Sequence, residues 1–189
     1  VSKLYFFYSN IIVKKYFLPF AFRALRRFFK MFGIFAKSSL SQHAEDIIID
    51  IMLKRGRKNN GVFVDVGCNH PIEYNNTYLL YLRGWRGINI DGNKKLVDLH
   101  KQMRSADTSL NYLISNEEKE LTFYVSTSDK LSTLNPDEVK KNPAKYRAED
   151  QVKVQSKKLT SILDEHLPAG KEIDLLCIDV EGHEIPVIS

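Results

Sequence analysis

The strongest constraint in this chain is a set of short apolar runs that each end in a carboxylate. Val62 to Val66, Gly87 to Asp91 and Ile173 to Val180 are rich in β-branched side chains and nearly continuous in hydrophobicity, as strands covered on both faces must be. Between them the period changes. Asn75 to Leu82 reads as a helix closed by Gly84, and Lys94 to Arg104 carries Leu96, Leu99, His100 and Met103 at helical spacing. Strands alternating with helices predict a doubly wound, mostly parallel α/β sheet.

The remaining elements follow from turns and periodicity. A helix over Ala44 to Leu53 stops near Gly56, and Leu110 to Ile114 is expected as a third parallel strand. Leu121 to Val125 adds a strand that should run antiparallel after the turn Asn116 to Lys119, and Leu159 to Leu167 is a helix. The polar stretch Ser126 to Asp150 contains Pro136 and Pro143 and is expected to be a long loop or lid.

The charge is unevenly divided. The whole chain of 189 residues carries a net charge of +5, yet residues 1–40 hold eight Lys and Arg and no acid. That leaves 20 basic against 23 acidic residues for 41–189, a net of −3. Phosphate backbones are bound through clustered positive charge near the working site, so a nucleic-acid partner is disfavoured. The leader itself, 1–40, reads as a basic amphipathic segment: Arg23, Arg26, Arg27, Lys30 and Lys37 fall on one side of a helix, with Phe22, Leu25, Phe28, Phe29 and Phe32 around the rest. Lys14, Lys15 and Arg23 interrupt any run of the roughly 20 apolar residues that a membrane span needs. Residues 17–37 therefore suit peripheral contact with an anionic membrane from the cytoplasm, or packing on the chain's own domain or a partner. Cys68 and Cys177 have no thiol or His at metal-finger spacing and read as reduced, buried thiols.

In an open α/β sheet, ligands sit outside the carboxyl ends of the strands, where strand order reverses. Those ends read Val64-Asp65-Val66-Gly67-Cys68-Asn69-His70-Pro71, Ile88-Asn89-Ile90-Asp91-Gly92-Asn93 and Ile178-Asp179-Val180-Glu181-Gly182-His183-Glu184. Each is expected to bring a carboxylate to one rim. Gly67 would let a ligand press on the backbone, and Asp91 is placed to accept both hydroxyls of a ribose. A dinucleotide pyrophosphate needs several glycines at this turn and would be repelled by Asp65. S-adenosylmethionine has no phosphate and carries a cationic sulfonium and amino group, so a carboxylate rim favours it over NAD. A metal site built from Asp179, Glu181, His183 and Glu184 is disfavoured, because these follow one strand in a continuous turn with no distant partner, and no metal is expected.

Taken in order, Ser41-Gln42-His43-Ala44-Glu45-Asp46, VDVGCNHP, Asn76-Thr77-Tyr78-Leu79, Gly84-Trp85-Arg86-Gly87-Ile88-Asn89-Ile90-Asp91, Leu131-Ser132-Thr133-Leu134 and IDVEGHE resemble the motifs of the FkbM-type methyltransferases. The resemblance covers roughly Ser41 to Ile188, with His70-Pro71 in place of the commoner acid and glycine. It implies a Rossmann-like methyltransferase sheet and S-adenosylmethionine as cofactor, bound by Asp65, Gly67 and Asn69, with a ribose contact from Asp91. With Asn93 beyond the second strand, Ser115 beyond the third, and Asp179, these make up the expected cofactor set. Asp179 and Glu181 are implied to lie near the transferred methyl.

The family's acceptors suggest O-methylation of a sugar or secondary-metabolite hydroxyl, which requires a general base. The expected order is Glu181, Asp179, then His183, with His70 behind them as either a base or a turn residue. Asp179-Val180-Glu181-Gly182 occupies the position where nitrogen-methylating relatives carry an Asn/Asp-Pro-Pro-aromatic turn, which again favours oxygen. The alternative is a non-catalytic, membrane-associated nucleoside-binding or scaffold module. Because Ser189 directly follows the fourth parallel strand, the chain is expected to be a C-terminally truncated form of the complete sheet.

Overall fold

The computed structural model describes residues 39–55, 60–126, 132–144 and 146–189. The basic leader, with the amphipathic helix expected there, lies outside the described residues. The elements, in chain order, are α1 (Glu45–Arg55), β1 (Val62–Val66), α2 (Tyr78–Leu82), β2 (Arg86–Ile90), α3 (Lys94–Met103), β3 (Thr108–Leu110), β4 (Leu113–Ile114), β5 (Glu120–Ser126), α4 (Pro136–Lys141), β6 (Tyr146–Lys157), α5 (Leu159–His166), β7 (Leu175–Ile178) and α6 (Glu184–Ile188).

Four strands form a parallel sheet in the order β3-β2-β1-β7. The chain steps outward from β1 to β3 and later returns to lay β7 on the other side of β1. Strand order therefore reverses between β1 and β7, and that reversal places the crevice at their carboxyl ends.

Side-chain alternation along β1 builds two cores. Val64 and Val66 turn to one face and pack with Ile88, Ile90, Ile162 of α5 and Val187 of α6. Phe63 turns to the other, with Trp85, Leu80 of α2, and Ile49 and Leu53 of α1. Helices thus cover both faces of a mainly parallel sheet, consistent with a Rossmann-like core. Burying side chains of this size stabilises by roughly 1.5–3 kcal/mol each.

The start of α1 is held by one buried carboxylate. Asp46 accepts from the hydroxyls of Ser39 and Ser41 and from the backbone N–H groups of Leu40 and Ile47. It thereby satisfies donors that a helix start leaves unpaired.

Two expectations need correction. The third strand does not run from Leu110 to Ile114. Thr108–Leu110 pairs with β2, and Leu113–Ile114 leaves to join a second sheet. Asn111 makes the break: its Nδ2 donates to the carbonyls of Asp91 and Gly92, replacing ladder bonds with side-chain bonds. Nor is Ser126 to Asp150 one long loop. It holds α4, started by the Asn135 side chain accepting from Asp137 N–H, and the beginning of β6.

β6 is twelve residues long and pairs antiparallel with β5, as the orientation expected for Leu121 to Val125 requires, while its far end pairs parallel with β4. Val154 packs on Leu113 and Phe123. Both cysteines are free, Cys68 buried and Cys177 half-buried on the edge strand β7. No helix among the described residues is long and apolar enough to cross a membrane.

Candidate active site at the carboxyl edge of the sheet

The turn after β1 enters the crevice under tight backbone control. Gly67 has φ +77, and a Cβ there would collide with the carbonyl oxygen of Asp179. Glycine is needed so that two stretches of this chain can touch, which is a different reason from the ligand approach expected from sequence. The N–H groups of Gly67 and Cys68 both donate to the carbonyl of Ile90, at 2.9 and 3.1 Å. Asn69 follows at φ 49, in the left-handed region that Asn tolerates best among residues with a side chain.

Asp91 stands one residue past β2. Its Oδ1 accepts from Asn93 N–H at 2.7 Å and its Oδ2 from Asn69 N–H at 2.9 Å. Burial outweighs these two donors and lifts the carboxyl to about 6. Each oxygen keeps a further lone pair.

The cavity at this edge is lined by Gly67, Asn69, Asp91, Asp179, Glu181 and His183, with Tyr112 and Phe123 on its apolar side. Six expected site residues therefore meet. Asp65, Asn93 and Ser115 do not line it. Asp65 lies on the opposite side of β1 from Val66, fully buried, where it accepts from the Thr77 hydroxyl at 2.7 Å and burial raises its carboxyl above the ordinary range. The expectation that every strand-end acid reaches one rim thus fails at Asp65, because period-two alternation turns it toward α2. Asn93 is the N-cap of α3, accepting from Lys95 N–H, and Ser115 Oγ lies 3.2 Å from His183 Nε2.

The end of β7 supplies the other side. Asp179 N–H donates to the carbonyl of Val66, and its carboxyl is raised by partial burial and by the charges of Glu184 and Glu45. Glu181, at φ 50, is exposed on the rim. His183 is half-buried at the N-cap position of α6, and desolvation holds its imidazole below the ordinary range. His70 serves its turn, its Nδ1 accepting from Ile72 and Glu73 N–H. Among the described residues no group of His, Cys, Asp and Glu is arranged to hold a metal ion.

A second space adjoins the first. It lies against Thr122 and Tyr124 of β5 and Asn135 and Pro136 at the start of α4, and shares Thr133, Leu134, Glu181 and His183 with the cavity around Asp91. The stretch expected as a long loop or lid does border this groove, but nothing in its polar sequence indicates that it holds α4 and the start of β6 or that it closes a groove against β5.

The family model described as the methyltransferase FkbM domain matches residues 65–189. The chain belongs to the FkbM methyltransferase family. The match spans about two thirds of the chain and takes in the turn after β1, the Asp91 carboxylate, the hairpin and the segment after β7. Comparison with curated proteins and with solved structures found no match. In the FkbM domain the crevice at the strand-order reversal therefore belongs to a methyltransferase fold, with an acidic lining backed by apolar side chains.

Proposed function

We propose that this FkbM domain is an S-adenosylmethionine-dependent methyltransferase acting on a hydroxyl of a sugar or secondary metabolite. The observation that carries the reading is the pair of adjoining spaces, one around Asp91 and one against β5, with Glu181 and His183 on the wall between them.

The residues present fit the cofactor. Among the described residues the cavity around Asp91 is lined by three carboxylates and by no Lys or Arg, which suits a cationic ligand and disfavours a pyrophosphate. Asp91 is suited to both ribose hydroxyls through its two spare lone pairs, while Gly67 and Asn69 frame the same end and Asn93 orients Asp91 from behind. Asp179, which lines this cavity but not the groove, is suited to the cofactor's positive groups. Bound there, S-adenosylmethionine supplies an electrophilic methyl on a sulfonium.

The protein's part is alignment, exclusion of water and removal of a proton. A hydroxyl held in the groove beside Thr122 and Tyr124 faces the shared wall. Glu181 is our first assignment for the base, being an exposed carboxylate on that wall. His183, neutral near pH 7 because burial disfavours its charged form, is the second, its ring fixed by Ser115. The basic leader supports peripheral membrane contact through residues 17–37.

Titration calorimetry with S-adenosylhomocysteine and with NAD tests the cofactor without knowledge of the acceptor. Binding of S-adenosylhomocysteine alone, lost in Asp91→Ala, is the expected result. Preference for NAD would overturn the reading.

A further inference from the structure

The turn that faces the cavity is gripped from behind by two side chains that do not line it. Asn75 is 2% exposed, and its Nδ2 donates to the carbonyls of Cys68 and His70 at 3.0 and 3.1 Å. Its Oδ1 accepts from Thr77 and Tyr78 N–H at the start of α2 and from Arg104 Nη1 at 3.2 Å. His100 of α3 is 0% exposed, with Nε2 2.9 Å from the carbonyl of Asn69. A carbonyl only accepts, so Nε2 carries the proton and donates.

Three successive carbonyls, at 68, 69 and 70, are thus tied to α2 and α3. The consequence appears on the other side of the same peptides. Asn69 N–H is left aimed at Asp91 Oδ2, with Asn69 in the left-handed region. Arg104 locks Asn75 in turn: its guanidinium is fully buried, bonded to Asp107 and lying over the Phe63 and Tyr81 rings. Asn75 is therefore held in the core by Arg104, and His100 is itself fully buried.

We infer that Asn75 and His100 are positioning residues for cofactor binding: by holding the carbonyls of residues 68–70 they aim the Asn69 amide at Asp91 and so fix the carboxylate that receives the ribose. The inference rests on the cofactor reading above. It concerns side chains that touch neither cavity nor groove.

The test compares S-adenosylhomocysteine binding by calorimetry, and melting temperature without ligand, for the wild type, His100→Leu, His100→Gln and Asn75→Asp. His100→Leu keeps the volume and loses the donor, whereas Gln can present an N–H near the same place. Asn75→Asp keeps the acceptor facing Tyr78 and Arg104 but sets oxygen against two carbonyls. A lost hydrogen bond corresponds to a weakening of about tenfold, expected for His100→Leu and Asn75→Asp with folding retained, and largely restored in His100→Gln. Equal weakening in His100→Leu and His100→Gln, or wild-type affinity in both His100→Leu and Asn75→Asp, would overturn the inference while leaving the cofactor reading intact. Failure of the wild type to bind S-adenosylhomocysteine would overturn the cofactor reading, and this inference with it.

Discussion

The backbone N–H of Asn69 donates to Oδ2 of Asp91 at 2.9 Å, joining the turn after β1 to the carboxylate that ends β2. Two strands adjacent in the sheet thereby present one recognition surface, and its charge state governs what the crevice can hold.

That relationship sets a pH dependence with two opposed parts. Asp91 titrates at about 6 in the folded chain against 3.8 for the ordinary carboxyl. Between these values the folded state binds more protons than the unfolded, so Asp91 adds stability as pH falls and that contribution is lost as pH rises through about 6. Cofactor recognition runs the other way, because a protonated Asp91 no longer accepts two ribose hydroxyls. Thermal unfolding with and without S-adenosylhomocysteine should show a ligand-induced rise in Tm that shrinks as pH falls below about 6. A rise that stays constant down to about pH 5 would exclude Asp91 as the ribose acceptor.

Gly67→Ala should destabilise the fold as well as weaken binding. The added methyl meets the carbonyl of Asp179 and occupies a left-handed backbone, a combination expected to cost on the order of 1–3 kcal/mol. Urea unfolding measures it. The loss should be present without ligand, which separates it from a pure binding defect.

Arg104→Met tests the buried network. Arg104 and Asp107 are both 0% exposed, joined through Nε at 3.0 Å and Nη2 at 2.9 Å. Removing the cation strands a buried carboxylate whose acidity burial already weakens, so a loss of about 3–5 kcal/mol is expected in denaturant unfolding. Arg104→Lys should recover little, since an ammonium cannot reach Asp107, Asn75 and Thr77 as a planar fork does.

Glu181→Gln should separate chemistry from binding. S-adenosylhomocysteine affinity should stay within a few-fold of wild type, while transfer of labelled methyl to a hydroxylated acceptor falls by roughly 10²–10⁴. If His183→Asn and Ser115→Ala bring the larger fall and Glu181→Gln does not, the base is His183 and Ser115 its orienting partner.

Tyr124→Ala should leave S-adenosylhomocysteine binding unchanged and alter which acceptors are methylated, because Tyr124 lines the groove and not the cavity around Asp91. Equal loss of cofactor binding would mean that the two spaces form one site.

The amino-acid sequence alone specifies the parallel α/β core, since β-branched runs ending at Val66, Ile90 and Ile178 and the helical spacing of α3 and α5 follow from local rules of period and capping. It also determined that Gly67, Asn69, Asp91, Asp179, Glu181 and His183 would gather at one edge, because strand ends in a parallel sheet share an edge. What tertiary structure decided lay in contacts between distant segments. Asp65 and Asp91 look equivalent as strand-end acids, yet Asp65 lies within β1, buried against Thr77, whereas Asp91 stands one residue past β2 and reaches the cavity. β6 has no continuous apolar run to announce it and exists through pairing with β5 and the burial of Val154. The groove, and the grip of His100 on the turn, arise the same way: each joins residues far apart in the chain, and no local period encodes such a meeting.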